Sequence, residues 1–371
     1  MGFEALELLT LQKYWWIMVS LLGGLFVFIM FVQGGQTLMD KLSDNEIEKT
    51  MLINSIGRKW ELGFTTLVLF GGALFAAFPL FYATSFGGAY WVWLAILFCF
   101  IIQAVSYEYR SKPNNLLGQK TYEMFLKING NIGTFLLGVA ISTFFSGSEF
   151  IIDSNNFVNW QNPLRGLEAL QNPYNYLLGL ALVFLAKISG ALYFINNINH
   201  EKIRQKAINS IKINMIFFLV MTWILTKDGY VSSNGIINIE KFKYFQNFID
   251  MPIVLTMFLL GVTMVIIAVF ITIKFKKTCC IKTAGLGIVL TVMAVLLNVG
   301  LNNTSYYPST SDLQSSLTIM NSSGSHYTLM TMSYASLMVP FVLAYITYAW
   351  YSMDKVKITK EEIESNDSHN Y

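Results

Sequence analysis

Long apolar stretches alternate along this chain with short loops that carry nearly all of its charge. A helix that spans a membrane needs about 20 predominantly apolar residues. Nine stretches approach that length, at roughly 14–38, 62–83, 89–107, 131–151, 175–196, 211–226, 251–273, 284–301 and 328–351. The loops between them keep a rhythm: alternate loops plus the C-terminal tail hold 19 Lys and Arg, and the opposite side holds 5. The remaining one, Lys187, lies near the middle of a span. Cytoplasmic loops accumulate basic residues, so the pattern predicts an N-terminus outside and a C-terminus in the cytoplasm. An odd number of spans requires the same. The expected fold is an all-α integral membrane protein of nine transmembrane helices, with 1–371 forming one polytopic domain.

Composition supports this reading. The chain has 371 residues, 54% of them hydrophobic and 13% charged, where a soluble chain carries about 25% charged residues. The net charge of +3 belongs to loops at the membrane surface, which leaves no basic face for nucleic acid. Trp15, Trp16, Trp91, Trp93, Trp223, Trp350 and Tyr351 fall near span ends, as an interfacial aromatic belt requires. Glu4 and Glu7 precede the first span and no small-residue cleavage pattern follows it, so it reads as a retained helix. Between two Asn-Pro pairs, the outer loop 152–174 places Leu164, Leu167 and Leu170, which suggests a short interfacial helix. No second domain, low-complexity linker or internal repeat is evident.

The residue census narrows the chemistry. Of three histidines, His200 and His369 lie in a loop and the tail, and His326 lies near an outer span edge. A haem held inside a bilayer normally needs a buried His or Met/His pair, so this chain is expected to bind no haem itself. Cys99 sits in a span as packing, and the adjacent Cys279 and Cys280 have neither metal-ligand nor disulfide-framework spacing, so no metal site is expected. No phosphate-binding loop, HExxH or nucleophile elbow is present.

Ionisable groups at membrane depth are expensive to hold and are the stronger leads. Glu61 opens the second span, where it is either a proton-uptake group or an acid favoured by the helix dipole. Glu108, Arg110 and Lys112 end the third span at the same face, with Glu108 and Lys112 at i,i+4 spacing, and read as an interfacial charge cluster. Lys187, near the middle of the fifth span, needs a counter-charge or a relay role, and Glu149 is the candidate partner.

Several local patterns together carry a resemblance. They begin with Tyr14-Trp15-Trp16, then Met51 to Ile56 running into Trp60-Glu61, and Gly71 to Pro79. Glu108-Tyr109-Arg110-Ser111-Lys112, Asp228-Gly229-Tyr230-Val231, Pro308 to Thr318 and the tail Ile358 to Glu364 follow. Through nearly its whole length the chain resembles subunit II of the cytochrome bd-type quinol oxidases. The resemblance implies two four-helix bundles plus a peripheral helix, in a bacterial cytoplasmic membrane. It implies a heterodimer that oxidises quinol and reduces dioxygen to water, with b-type and d-type haems in the partner subunit I. It admits a small third subunit and, as in some relatives, a structural quinone. This chain would then support assembly and proton and oxygen access. Two departures stand out: Trp60-Glu61-Leu62-Gly63 replaces the family's Trp-Asp-Gly-Asn, and Val32 replaces an acid in Phe31-Val32-Gln33-Gly34. A valine cannot relay a proton, so Gln33, Gln36 or water must cover that step if the route is kept. The competing readings are a secondary transporter built around Lys187 and a purely structural scaffold.

Overall fold

The structure is a computed structural model that describes residues 2–218, 228–233 and 235–364. Among the described residues, eight helices or helix pairs are long and apolar enough to cross a membrane: Leu8–Leu42, Glu46–Ala77, Tyr90–Tyr109, Gln119–Ser146, Pro173–Asn197, Pro252–Phe275, Cys280–Gly300 and His326–Asp354. Each overlaps one of eight of the nine stretches expected. The remaining stretch, 211–226, overlaps the end of a helix at Glu201–Phe218 and continues into 219–227, outside the described residues.

Several spans are longer than hydropathy alone suggests, and local chemistry explains why. The first joins α1 (Leu8–Ile29) to α2 (Phe31–Leu42) through one tightened turn, where Met30 N–H donates to Val27 O at 3.3 Å. The second joins α3 (Glu46–Gly57) to α4 (Trp60–Ala77). Residues 46–57 looked like loop, but they form a helix because Asn45 caps it, accepting from Glu48 N at 2.9 Å. Glu46 and Glu48 in its first turn also suit the helix dipole. A four-residue helix, α5 (Pro79–Tyr82), follows.

Next come α6 (Tyr90–Tyr109) and α7 (Gln119–Ile128), the latter running through a π-helical turn at Asn129–Gly133 into α8 (Thr134–Ser146). Beyond these are α9 (Pro173–Asn197), capped by Asn172, and α10 (Glu201–Phe218). The short α11 (Lys243–Asp250) precedes α12 (Pro252–Phe275) and α13 (Cys280–Gly300). The last span is α14 (His326–Ser336) plus α15 (Val339–Asp354), broken before Pro340, and α16 (Lys360–Glu364) ends the described chain.

At one end the loops form two antiparallel hairpins. β1 (Phe150–Ile152) pairs with β2 (Val158–Trp160), Phe150 opposite Trp160, and β3 (Gly229–Ser233) pairs with β4 (Ile236–Glu240). The expected helix in 152–174 is reduced to a 3-10 turn at Leu167–Gln171, because the chain before it pairs as a hairpin.

At the other end the basic loops meet. Lys127 pairs with Asp40 at 2.7 Å, Lys206 with Asp44 at 2.5 Å, and Arg58 with Glu362 at 2.5 Å. The Lys206 hydrogen bond holds the Asp44 carboxyl below the usual range. Cys280 and Ile281 share an apolar cluster with Ile203 and Ile358, which brings the 274–282 loop to this end too. The loops that the charge rhythm assigned to one side therefore do lie together.

Helix contacts form two sets. In one, α1 touches α4, α4 touches α6, and α6 touches α8; in the other, α9, α10, α12 and α13 contact one another in a ring. The sets join where α2 and α8 lie on α9 and α1 lies on α13. Glycine makes this seam close. A Cβ on Gly34 would overlap the Ala186 carbonyl, and one on Gly190 would come within 2.5 Å of Gly35 N. Small residues permit such backbone approach in a bilayer, where dispersion between helices replaces the hydrophobic effect. Gly190→Val is therefore expected to destabilise the protein by about 3 kcal/mol or more, the upper end of overpacking costs. Thermal unfolding of the detergent-solubilised protein is the check, and a wild-type melting temperature would refute the close seam.

Candidate functional site

The most tightly built polar site lies at the basic end, where α4 begins and α15 ends. Lys59 sits between α3 and α4 with its side chain fully buried, and its Nζ lies 3.0 Å from Asp354 Oδ1. Asp354 also accepts from Tyr193 OH at 3.1 Å, Asn197 Nδ2 at 3.1 Å and Trp350 Nε1 at 2.6 Å. Lys59 Nζ lies 5.6 Å from the centre of the Trp350 ring, and Ser55 Oγ reaches Asn197 Oδ1 at 2.7 Å. A carboxylate so far withdrawn from water, its side chain 11% exposed, needs such a saturated set of donors, because in low dielectric an unpaired charge is expelled or neutralised. The cluster ties the last span to α3, α4 and α9.

A second charged site closes the α6–α7 side. Glu123 is buried and its two oxygens are divided. Oε1 accepts from Arg110 Nη2 at 2.8 Å and Nε at 3.1 Å, and Oε2 faces Lys49 Nζ at 3.1 Å. Lys49 also lies 3.3 Å from Asp40, and Arg110 lies 3.6 Å from Glu46.

Above this site, inside the spans, amide and hydroxyl side chains replace charges. Gln36 Nε2 donates to Tyr107 OH at 3.1 Å, and Gln33 Nε2 donates to Gln103 Oε1 at 3.3 Å. Trp60 stacks on Tyr107, ring centres 5.8 Å apart. Val32 lies in the apolar core beside them.

The residues singled out from sequence are placed as follows. Glu61 occupies the first turn of α4 and is exposed on its outward face with Val68 and Leu69, which are 57% and 50% exposed. Arg110 is buried against Glu123, whereas Glu108 and Lys112 are exposed. Because α6 ends at Tyr109, Lys112 lies beyond the helix and the i,i+4 geometry with Glu108 is not formed. Lys187 is half-buried in α9 with Nζ 5.7 Å from the Phe184 ring centre, and no ion pair reaches it among the described residues. Glu149, its expected partner, instead accepts from Asn162 Nδ2 at 3.2 Å in an outer loop. His200 lies 3.7 Å from Glu48, His326 contacts Leu6 O at 2.8 Å, and His369 is outside the described residues.

Lys59, Asp354 and Glu123 were not singled out from sequence. Lys59 and Asp354 carried a faint signal as charges abutting apolar runs, but they are 295 positions apart.

Between the two helix sets lies an apolar cavity of about 90 Å³, lined by Phe26, Phe70, Leu137, Leu182, Val265 and Leu296 among others. Apolar cavities of comparable character, about 150 Å³, stay dry and accept small apolar guests.

The sequence model of the family described as cytochrome bd terminal oxidase subunit II matches residues 11–353. The chain is 27% identical over 377 residues to the cytochrome bd-I ubiquinol oxidase subunit 2 of Escherichia coli K12, covering 96% of this chain and 97% of that protein. It is 26% identical over 371 residues to the cytochrome bd ubiquinol oxidase subunit 2 of Bacillus subtilis, covering 95% and 98%. In fold it is similar to a chain of the bd oxidase structure from Geobacillus thermodenitrificans, with a TM-score of 0.58 at 12% identity and coverage of 94% and 96%.

Removing one partner of a buried ion pair typically costs about 3–5 kcal/mol. Asp354→Leu should therefore lower the melting temperature sharply, and Lys59→Met combined with Asp354→Leu should recover much of the loss. Additive losses in that double-mutant cycle would show that Lys59 and Asp354 are not coupled.

Proposed function

Because the chain belongs to the cytochrome bd terminal oxidase subunit II family, we propose that it is the haem-free subunit of a proton-motive quinol:oxygen oxidoreductase. It is a multi-pass protein of the bacterial inner membrane. Its partner is the haem-bearing subunit I, and quinol and dioxygen are substrates of the assembly. The family match across 11–353 carries this reading. The b-type and d-type haems are assigned to subunit I, and His200 and His326 at the span ends of this chain suit that division. The family assignment displaces the transporter reading built on Lys187.

The architecture we propose is two four-helix bundles with a peripheral helix. α1–α2, α3–α4, α6 and α7–α8 form the first, and α9, α10, α12 and α13 form the second. The helix contacts within each set support this division. The peripheral span is α14–α15, whose second half contributes no buried residue. The end where the basic loops gather is placed in the cytoplasm, on the strength of the charge rule.

Within the assembly this subunit supports subunit I and supplies access routes. The apolar cavity between the helix sets suits dioxygen, which partitions into dry apolar space. Glu61 is the proton-uptake candidate at the cytoplasmic edge. It points outward from α4, so its proton passes to a group outside this chain, and the reading requires subunit I to cover that face. The purely scaffolding role differs only in whether Glu61 affects turnover.

Two measurements test these readings. Mild-detergent purification from the native membrane should yield a second large subunit with b- and d-type haem bands and quinol oxidase activity. A colourless, inactive single chain would break the functional proposal. Glu61→Gln should slow oxygen-coupled proton uptake while leaving haem content intact, and unchanged turnover with unchanged membrane potential would leave only the scaffolding role.

A further inference from the structure

Seven buried polar atoms with no hydrogen-bond partner collect where α2, the start of α4, α6 and the π-helical turn Asn129–Gly133 come together. They are Gln33 Oε1, Gln36 Oε1, Trp60 Nε1, Gln103 Nε2, Asn129 Oδ1 and Nδ2, and Thr134 Oγ1. The turn contacts both α2 and α6. Its glycines keep it close: a Cβ on Gly130 would lie 2.5 Å from Gln33 O, and one on Gly133 would lie 3.1 Å from Cys99 Cβ. Asn129 and Thr134 are fully buried, and the surrounding segments belong to four of the membrane-spanning helices. Neither lipid nor bulk water therefore serves these atoms, and buried polar groups are almost always satisfied by protein or by ordered water. Asn129 lacks a partner at both ends of its amide, so turning the amide over does not relieve it.

The orphan set is mixed. Gln33, Gln36 and Asn129 present acceptors; Trp60, Gln103 and Asn129 present donors; Thr134 presents both. A cation would satisfy only the acceptors and an anion only the donors. Water satisfies both. We propose that this cluster is an internal water site, holding at least two ordered waters between α2, α6 and the π-helical turn. Its role rests on the reading above that this subunit supplies proton access, here by a route inside the chain and separate from Glu61. Amides, indole and hydroxyl do not ionise near neutral pH, so the waters are the relay-competent members of the cluster. Gln33 follows Val32 in the chain, the position at which the family resemblance implies an acid. Toward the basic end the cluster meets Tyr107, through its bond from Gln36, and then the Arg110–Glu123–Lys49 pairs.

The test begins with a high-resolution map of the purified assembly of this chain with its partner. Water density within hydrogen-bonding distance of Asn129 Oδ1 and Nδ2 and of Gln33 Oε1 is expected. A map that resolves waters elsewhere but none here overturns the proposal, whatever the proton measurements show. Asn129→Leu, with Gln33→Met as a second variant, should then remove that density and slow oxygen-coupled proton uptake several-fold at unchanged haem content. Waters present in the wild-type protein, with wild-type uptake in both variants, sustain the site and overturn its relay role.

Discussion

A bilayer core offers no hydrogen bonds, so every polar group that enters it must be satisfied inside the protein. The rest of this structure follows from that constraint. It makes the spans helical, because a helix closes its own backbone bonds. It sends charges to the span ends, where Asp40, Asp44, Arg58, Lys127 and Lys206 pair across different loops and tail. Where charge is largely withdrawn from water, the same constraint requires dense coordination, and Asp354 with its four donors meets that demand.

The basic end is consequently more than an orientation signal. Lys59 and Asp354 draw the last span onto α3, α4 and α9, which compensates for the sparse apolar packing of α15. Glu123, shared by Arg110 and Lys49, holds α6 and α7 to α3. Toward the opposite end, apolar and aromatic packing takes over. Tyr306 and Tyr307 are buried among Phe78, Phe81, Phe144 and Phe150. The burial that removes their hydroxyls from water pushes the pKa of both above the ordinary tyrosine value, so they serve as neutral hydrogen-bonding groups.

The apolar side chain of Val32 also has a structural context. Val32 faces apolar neighbours, while Gln33 and Gln36 on the same helix turn toward α6. Polar capacity in this stretch of α2 therefore lies in amides, one to four positions from Val32. Amides keep hydrogen bonding in the span without adding a titrating group to it.

By itself the sequence determined the class of the protein, the positions of eight described spans, the grouping of the basic loops at one end and the family resemblance. Hydropathy and charge rhythm are local and cumulative, and the bilayer reads them directly. It also placed Glu61 at a helix start, since a first-turn acid is a local feature. It did not reveal the helical 46–57 segment, whose cap acts over three residues against a polar composition. Nor did it pair Lys59 with Asp354 or Arg110 with Glu123, or show that Glu108 and Lys112 would remain apart. Those outcomes depend on which helices become neighbours. Only tertiary structure decides that, because the close backbone approaches at Gly34 and Gly190 set the seam between the two helix sets, and the buried polar partners follow from it.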